Sequence, residues 1–381
     1  MDLSRRELLS ASAAVLAGSR AAISVAAATE LHPGARAEAA GQAGAPMILC
    51  WNENPYGPSP AARAAIAASI AGACRYPDDE VPQLVDMLAR KEGVSSDRVV
   101  TGTGSGELLR ALGWLNGRDR GEIIAAEPTY LELPDYAHHT GATLKFVAVD
   151  KQLRHDLPAM QAAVSNRTRA VYLCNPNNPT GTALGAKAIE SFVHGMPDHV
   201  TTIIDEAYLD FADAPDVRTA TGLIDTGKRV VVLRTFSKIH GMAGVRCGYA
   251  IARPEIIAEI AAARMTTPNI FAMRAARASL GDHSFLADCR SRILASRKRI
   301  TSGLEQLGLA YAHPQGNFVF FDTGAPLARF TAFMKERNIL VGRHFPPYDS
   351  WCRITIGTEP QVDAFLRGLQ AFAGRRAARA A

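Results

Sequence analysis

Residues 101–107 read T-G-T-G-S-G-E, three glycines alternating with hydroxyl residues directly after an apolar run. Such a turn between a strand and a helix aims free backbone N–H groups at an anion, most often a phosphate. The spacing is G-x-G-x-G rather than the dinucleotide G-x-G-x-x-G, and no acidic residue closes a second strand at the expected distance, so a plain helix-entry turn stays open as the other reading. Further along, reactive and polar side chains recur at intervals of about 30 residues: N-P-N-N-P-T-G from Asn175 to Gly181, D-E-A-Y from Asp205 to Tyr208, and T-F-S-K from Thr235 to Lys238, followed by G-V-R-C-G-Y from Gly244 to Tyr249. Metal chemistry has no such pattern behind it. The 6 cysteines form no C-x-x-C, and the 10 histidines offer no H-E-x-x-H.

These groups need elements to hold them. From about Arg98 short β-rich runs alternate with helical patterns: DRVVTG, EIIAAEP, ATLKFVAVD, RAVYLCNP, VTTIIDEAYL, RVVVLRTF and VRCGYAIA. Apolar runs separated by segments long enough for crossover helices predict an α/β domain with a mostly parallel sheet buried on both faces. The reactive motifs then fall at strand ends, where open α/β sheets bind ligands. After Pro254 the pattern turns helical, with EIIAEIAAARM and a long stretch from Met273 to Leu307. A strand pair around NFVFFDT and WCRITIG follows, bracketed by helices from Pro326 to Arg337 and from Pro360 to Phe372, which reads as a smaller α+β part.

In order and content these motifs resemble fold-type I pyridoxal-phosphate aminotransferases of class I/II, and among them the histidinol-phosphate aminotransferase family. W-N-E-N-P-Y-G-P-S-P from Trp51 to Pro60, R-Y-P-D from Arg75 to Asp78, E-P-T-Y from Glu127 to Tyr130 and C-R-I-T-I-G from Cys352 to Gly357 carry the same resemblance, which spans residues 48–375. It implies a seven-stranded sheet and a division into an arm and the start of a small domain (48–75), a large cofactor-binding domain (76–265) and a small C-terminal domain (266–381).

It also implies roles. Lys238 would form the imine with the aldehyde of pyridoxal 5′-phosphate and, once freed, remove the substrate's α-proton. Asp205 would pair with the pyridine nitrogen, and Tyr208 and Asn178 would bond the ring hydroxyl oxygen. Tyr130 would lie on the ring face. The phosphate would be held by the N–H groups of Ser105 and Gly106, the hydroxyls of Thr235 and Ser237, and Arg246. Relatives usually carry an acidic residue where this chain has Gly106, so one contact near the phosphate is absent. For the substrate, Arg353 would grip an anionic group, Asn54 and Tyr56 would cover it, and Arg343 would be a second anion contact or a solvated arginine. Asn317 resembles a substrate-domain position and fits a turn former equally. Tyr76 matches a tyrosine contributed to a neighbouring subunit, which implies a homodimer with shared active sites. The reaction implied is ping-pong transamination between an amino acid, or a histidinol-phosphate-like or aromatic amine, and a 2-oxo acid. A decarboxylase or an oxidase on the same fold, and a cofactor-binding regulator, are the alternatives.

The first 28 residues differ from the rest. A charged start with Arg5 and Arg6, an Ala/Leu/Val stretch and an A-x-A site at Ala26 and Ala28 read as a signal peptide, and S-R-R-x-L-L from Ser4 to Leu9 resembles the twin-arginine type. Residues 29–47 read as linker. The expectation is a periplasmic or otherwise exported enzyme, with a cytoplasmic one as the alternative. Arg20 interrupts the only stretch near membrane-spanning length. With 42 Lys plus Arg against 37 Asp plus Glu, the net charge of +5 gives no footprint of a nucleic-acid binder.

Overall fold

The computed structural model describes residues 45–380, with side chains to residue 375; the leader and the linker up to residue 44 lie outside the described residues. The chain enters through β1 (Met47–Ile48) and continues as α1 (Pro60–Ser69), α2 (Glu80–Glu92), β2 (Val99–Gly102), α3 (Ser105–Gly117), β3 (Glu122–Glu127), α4 (Glu132–His139), β4 (Thr143–Ala148), α5 (Leu157–Ala162), β5 (Thr168–Cys174), α6 (Ala186–His194), β6 (Thr201–Asp205), β7 (Arg229–Thr235) and β8 (Gly248–Ala252). There follow α7 (Pro254–Ala263), α8 (Ile270–Gly281), α9 (His283–Gln306), β9 (Phe318–Asp322), α10 (Leu327–Lys335), β10 (Ile339–Leu340), β11 (Trp351–Thr355) and α11 (Glu359–Ala380).

Seven strands form one sheet in the order β2-β8-β7-β6-β5-β3-β4. Only β8 runs against its neighbours. Alternate residues of each inner strand point to opposite faces, and both faces are dry. Along β5, Ala170, Tyr172 and Cys174 pack with Leu108, Leu112 and Ile256 of α3 and α7, while Val171 and Leu173 pack with the cluster of α2, α6 and α8. That two-sided burial is why the strands read as apolar runs.

A second apolar cluster lies around the antiparallel pair β9–β11, where Phe321, Phe330 and Phe365 are fully buried with the inner face of α9. The long helical stretch expected after Met273 is two helices, α8 and α9, joined at Asp282, whose backbone leaves the helical region. Asn269 starts α8 by accepting a hydrogen bond from the Ala272 N–H at 2.8 Å. The parallel pair β1–β10, two residues in each strand, is too short to leave a periodic signal and was not expected. Among the described residues no helix is long and apolar enough to cross a membrane, and no group of three or more His, Cys, Asp or Glu could hold a metal.

Candidate active site

Six strands of the sheet run the same way, and the loops beyond five of them, β2, β3, β5, β6 and β7, carry the reactive motifs at one edge. Asp205 is the last residue of β6 and only 2 % exposed. The Tyr172 hydroxyl donates to one carboxylate oxygen at 3.1 Å and the Ala207 N–H to the other at 3.1 Å. No ion pair reaches it among the described residues, and burial pushes its pKa up to about 6 against the bonds from Tyr172 and Ala207.

Lys238 follows β7 and reaches toward the same edge. Its Nζ donates to the Asn52 carbonyl at 3.0 Å and lies 5.3 Å from the centre of the Tyr208 ring. Desolvation, reinforced by the Arg353 charge, lowers its pKa to about 8, while Glu53 and Asp205 pull the other way. An amine so tuned releases its proton far closer to neutrality than an ordinary lysine.

Tyr208 is buried, with its ring edge-on to Phe318 at 4.9 Å. Its hydroxyl accepts from the amides of Asn52 at 3.1 Å and Asn178 at 3.4 Å. Asn178 in turn accepts from Arg353 Nη1 at 2.5 Å, and Arg353 Nη2 donates to the Cys50 carbonyl at 2.6 Å. Arg353 sits on β11, 7 % exposed, between the Phe318 and Phe345 rings. It has no carboxylate partner among the described residues, and its Nε is buried and unbonded. A buried guanidinium with one free donor is built to take an anion.

The glycine-rich loop packs tightly beside Arg246 at the start of α3. Gly104 has φ +78°, a conformation that costs side chains dearly, and a Cβ there would collide with the Arg246 guanidinium. A Cβ on Gly248 would likewise strike the backbone of Ser105. Ser105 opens α3, so its free N–H groups and the helix dipole face this corner. Arg246 approaches Ser237 Oγ at 3.5 Å, and the Thr235 hydroxyl donates to Ser237 Oγ at 3.0 Å. Glu107 is committed elsewhere, capping the Thr103 N–H at 2.6 Å and accepting from Thr266 N at 2.8 Å. At Gly106 a Cβ would meet nothing closer than Arg246 and Glu132 at 3.8 Å, so the missing acidic side chain leaves open room.

The remaining residues spread more widely. Tyr130 stands at the end of the β3 loop, 37 % exposed, its hydroxyl donating to Glu132 at 3.4 Å. Asn54 is buried, its amide nitrogen on the Ile239 carbonyl at 2.8 Å and its oxygen accepting from Tyr56 N at 3.0 Å. The Tyr56 ring packs by the Arg292 guanidinium at 5.4 Å, against α9. Arg343 is exposed and lies 4.4 Å from the centre of the Phe345 ring. Tyr76 is 93 % exposed and makes no contact with the Lys238 cluster. Glu206, beside Asp205 in sequence, faces away and pairs with buried Arg234 at 3.1 Å, which also holds Asp210 at 3.1 Å. That pair fixes the loop after β6 and leaves Asp205 alone to face the site.

One organising residue, Asn52, carried no signal of its own. Its N–H donates to Thr355 Oγ1 at 2.9 Å, its amide bonds the Tyr208 hydroxyl, and its carbonyl accepts from both Lys238 and Asn317, the latter at 3.1 Å. Its φ of +54° is one that asparagine and glycine tolerate best. Asn52→Gly is therefore expected to lower kcat/KM about tenfold through loss of the bond to Tyr208. Asn52→Ala adds backbone strain and should cost about 1 kcal/mol more stability than the glycine variant. Thermal unfolding of both proteins checks this, and equal melting temperatures would refute the backbone part.

The model of the family described as "Aminotransferase class I and II" matches residues 45–369. A histidinol-phosphate aminotransferase of Moorella thermoacetica is 37% identical over 328 residues, covering 84% of this chain and 84% of its own length. An aromatic amino acid aminotransferase of Rhodococcus jostii is also 37% identical, over 322 residues, 84% of this chain and 88% of the relative. Among solved structures, the histidinol-phosphate aminotransferase of Sinorhizobium meliloti in complex with pyridoxal-5′-phosphate superposes with a TM-score of 0.80 at 26% identity, over 86% of this chain and 91% of that one. With the family model spanning the whole sheet, the Lys238 loop and β11, the chain belongs to the class I and II aminotransferases.

Proposed function

We propose that this protein moves an amino group from an amine carrying an anionic group to a 2-oxo acid, with pyridoxal 5′-phosphate as resident cofactor. The observation that carries the reading is the pairing of opposites in one site: a buried carboxylate without a cation, Asp205, and a buried guanidinium without an acid, Arg353, both of whose charges act on Lys238. The cofactor supplies an aldehyde that takes up the amino group and a pyridine ring that withdraws electrons from the carbon losing its proton.

This chain's own residues do the rest. Asp205 would hold the protonated ring nitrogen and so offset its own cost of burial. The Tyr208 hydroxyl, fixed by Asn52 and Asn178, would face the ring oxygen, and Tyr130 would cover the ring face. Ser105, Gly106, Thr235, Ser237 and Arg246 would receive the phosphate. Lys238, tethered by the Asn52 carbonyl and tuned to about 8, moves the proton at the substrate's α-carbon as general base and then acid. Arg353 orients the donor by its anionic group. Asn54 orders the N-terminal segment over the site through its bond to Ile239.

The donor is an amino acid or an aromatic or histidinol-phosphate-like amine, a choice supported by the relatives' activities and by the aromatic walls Phe318 and Phe345 around Arg353. A screen of amine donors with 2-oxoglutarate as acceptor tests it. Turnover is expected with anionic aromatic or imidazole donors, and a profile confined to donors lacking an anionic group would count against the role of Arg353. The twin-arginine-type leader supports export, and the exposed Tyr76 supports a homodimer with shared sites. Uncut chain found only in the cytoplasm, or a fully active monomer in sedimentation, are the results against these two readings.

A further inference from the structure

Behind the segment that carries Lys238, a cavity of about 630 Å³ opens between α2, the ends of α8 and α9 that meet at Asp282, and the turn at Asp210. Lys238, Asp205, Tyr208 and Arg353 do not line it. Its volume lies within the range of roughly 300–1,000 Å³ usual for small-molecule sites. Met87, Ile239, Leu280 and Leu286 give it an apolar lining.

Guanidinium groups stand among them, Arg90 one turn from Met87 on α2 and Arg290 one turn from Leu286 on α9. Arg90 has no hydrogen bond or ion pair among the described residues. Arg290 is held rigid by the carbonyls of Asp210 at 2.8 Å and Ala212 at 2.6 Å, and meets no carboxylate. Two other lining charges are matched, Lys91 by Glu92 at 2.5 Å and Asp210 by Arg234 at 3.1 Å, and His283 also lines the cavity. His240, 7 % exposed, completes the wall. Its Nδ1 is bonded to the Ser279 hydroxyl at 2.7 Å, and its Nε2 makes no bond among the described residues. When the serine hydroxyl donates, the proton of the neutral ring sits on Nε2. Burial keeps this ring neutral near pH 7, its pKa pushed down to about 4 despite Asp210 nearby.

An apolar lining interspersed with two guanidinium groups that meet no carboxylate, the exposed Arg90 and the half-buried Arg290, and with a neutral imidazole fits one kind of ligand. We propose that this cavity is a second, regulatory site for a small amphipathic carboxylate, an anionic head on an apolar body, distinct from the amine-donor site. The route to the reaction is short. Ile239 and His240 directly follow Lys238, and the Ile239 carbonyl anchors Asn54 at 2.8 Å, so an occupant pressing on this wall bears on the segment that positions the amine.

Octanoate is the probe. Calorimetric titration into the full-length holoenzyme is expected to show one site per chain. Arg90→Ala should weaken binding about tenfold, as loss of one charge-assisted contact does. Ala287→Trp, which pushes bulk into the cavity from an exposed position on α9, should abolish binding while leaving melting temperature and turnover unchanged. Arg353→Ala should leave octanoate binding intact. Saturating octanoate should change kcat at least about twofold, a coupling of roughly 0.4 kcal/mol, and only in proteins that keep Ala287. The proposal is overturned by absence of binding at about 10 mM, by binding indifferent to both Arg90→Ala and Ala287→Trp, by binding that disappears with Arg353→Ala, or by binding with no effect on kcat.

Discussion

Replacing Lys238 with alanine is expected to lower turnover by at least about 10⁴-fold, the upper reach of a single general base, because the covalent link to the cofactor disappears with the base. The absorbance band near the visible edge that a lysine-bound cofactor gives should vanish as well, while the fold survives, since Lys238 makes only hydrogen bonds to carbonyls and no ion pair among the described residues. A pH signature separates this role from a structural one. In the protein stripped of cofactor, the Lys238 amine should react with an acylating reagent with a midpoint near pH 8, far below the ordinary 10.5. Arg353 is the cation that depresses that value most, so Arg353→Ala should move the midpoint upward. Glu53, Asp205 and Arg246 also face the amine, and their smaller effects partly cancel.

Asp205→Asn is the second large effect, and its two consequences run in opposite directions. Removing the buried charge that faces the cofactor ring should lower kcat by roughly 10²–10³-fold, the scale of the about 3–5 kcal/mol lost when one partner of a buried pair is deleted. Stability without cofactor should move the other way. The folded pKa of Asp205, about 6, lies above its ordinary 3.8, so the native state holds this proton more tightly than the unfolded chain. Its contribution to stability is therefore present below pH 3.8 and is lost as pH rises through 6. At pH 7 the cofactor-free wild type carries the full penalty, and cofactor-free Asp205→Asn should be more stable by about 1–3 kcal/mol. Denaturant unfolding with and without pyridoxal phosphate reads both. A variant less stable than wild type in the absence of cofactor would mean that the bonds from Tyr172 and Ala207 outweigh desolvation.

Much of the sheet was readable because burial on both faces writes each strand as an apolar run. Six of the seven strands of the sheet lie within the runs expected for them, and β5 starts at Thr168, one residue before its run. Four of the reactive motifs, those starting at Thr101, Asn175, Asp205 and Thr235, were readable for a related reason: each begins at the end of a parallel strand, so sequence order and spatial convergence coincide, whereas Arg353 lies on the antiparallel strand β11. Asn52 and Thr355 illustrate what was not. They are 303 residues apart, and only the folded chain brings them together under Tyr208. Tyr172 was hidden differently, as a core residue of β5 whose hydroxyl happens to reach Asp205. The break between α8 and α9 was blurred because both helices continue the same apolar pattern across Asp282. Gly106 shows a motif departing from the related pattern without distorting the loop, since the space it leaves is bounded by Arg246 and Glu132.

The central claim is that the amino group leaves the donor and stays with the enzyme until an acceptor arrives. A single-turnover experiment tests it most directly: holoenzyme mixed with an excess of an active amine donor and no 2-oxo acid, with products counted per active site. The predicted result is one equivalent of 2-oxo product, no carbon dioxide and no peroxide, followed by one equivalent of glutamate when 2-oxoglutarate is added. Release of carbon dioxide, formation of peroxide, or continued product formation beyond one equivalent without acceptor would contradict it.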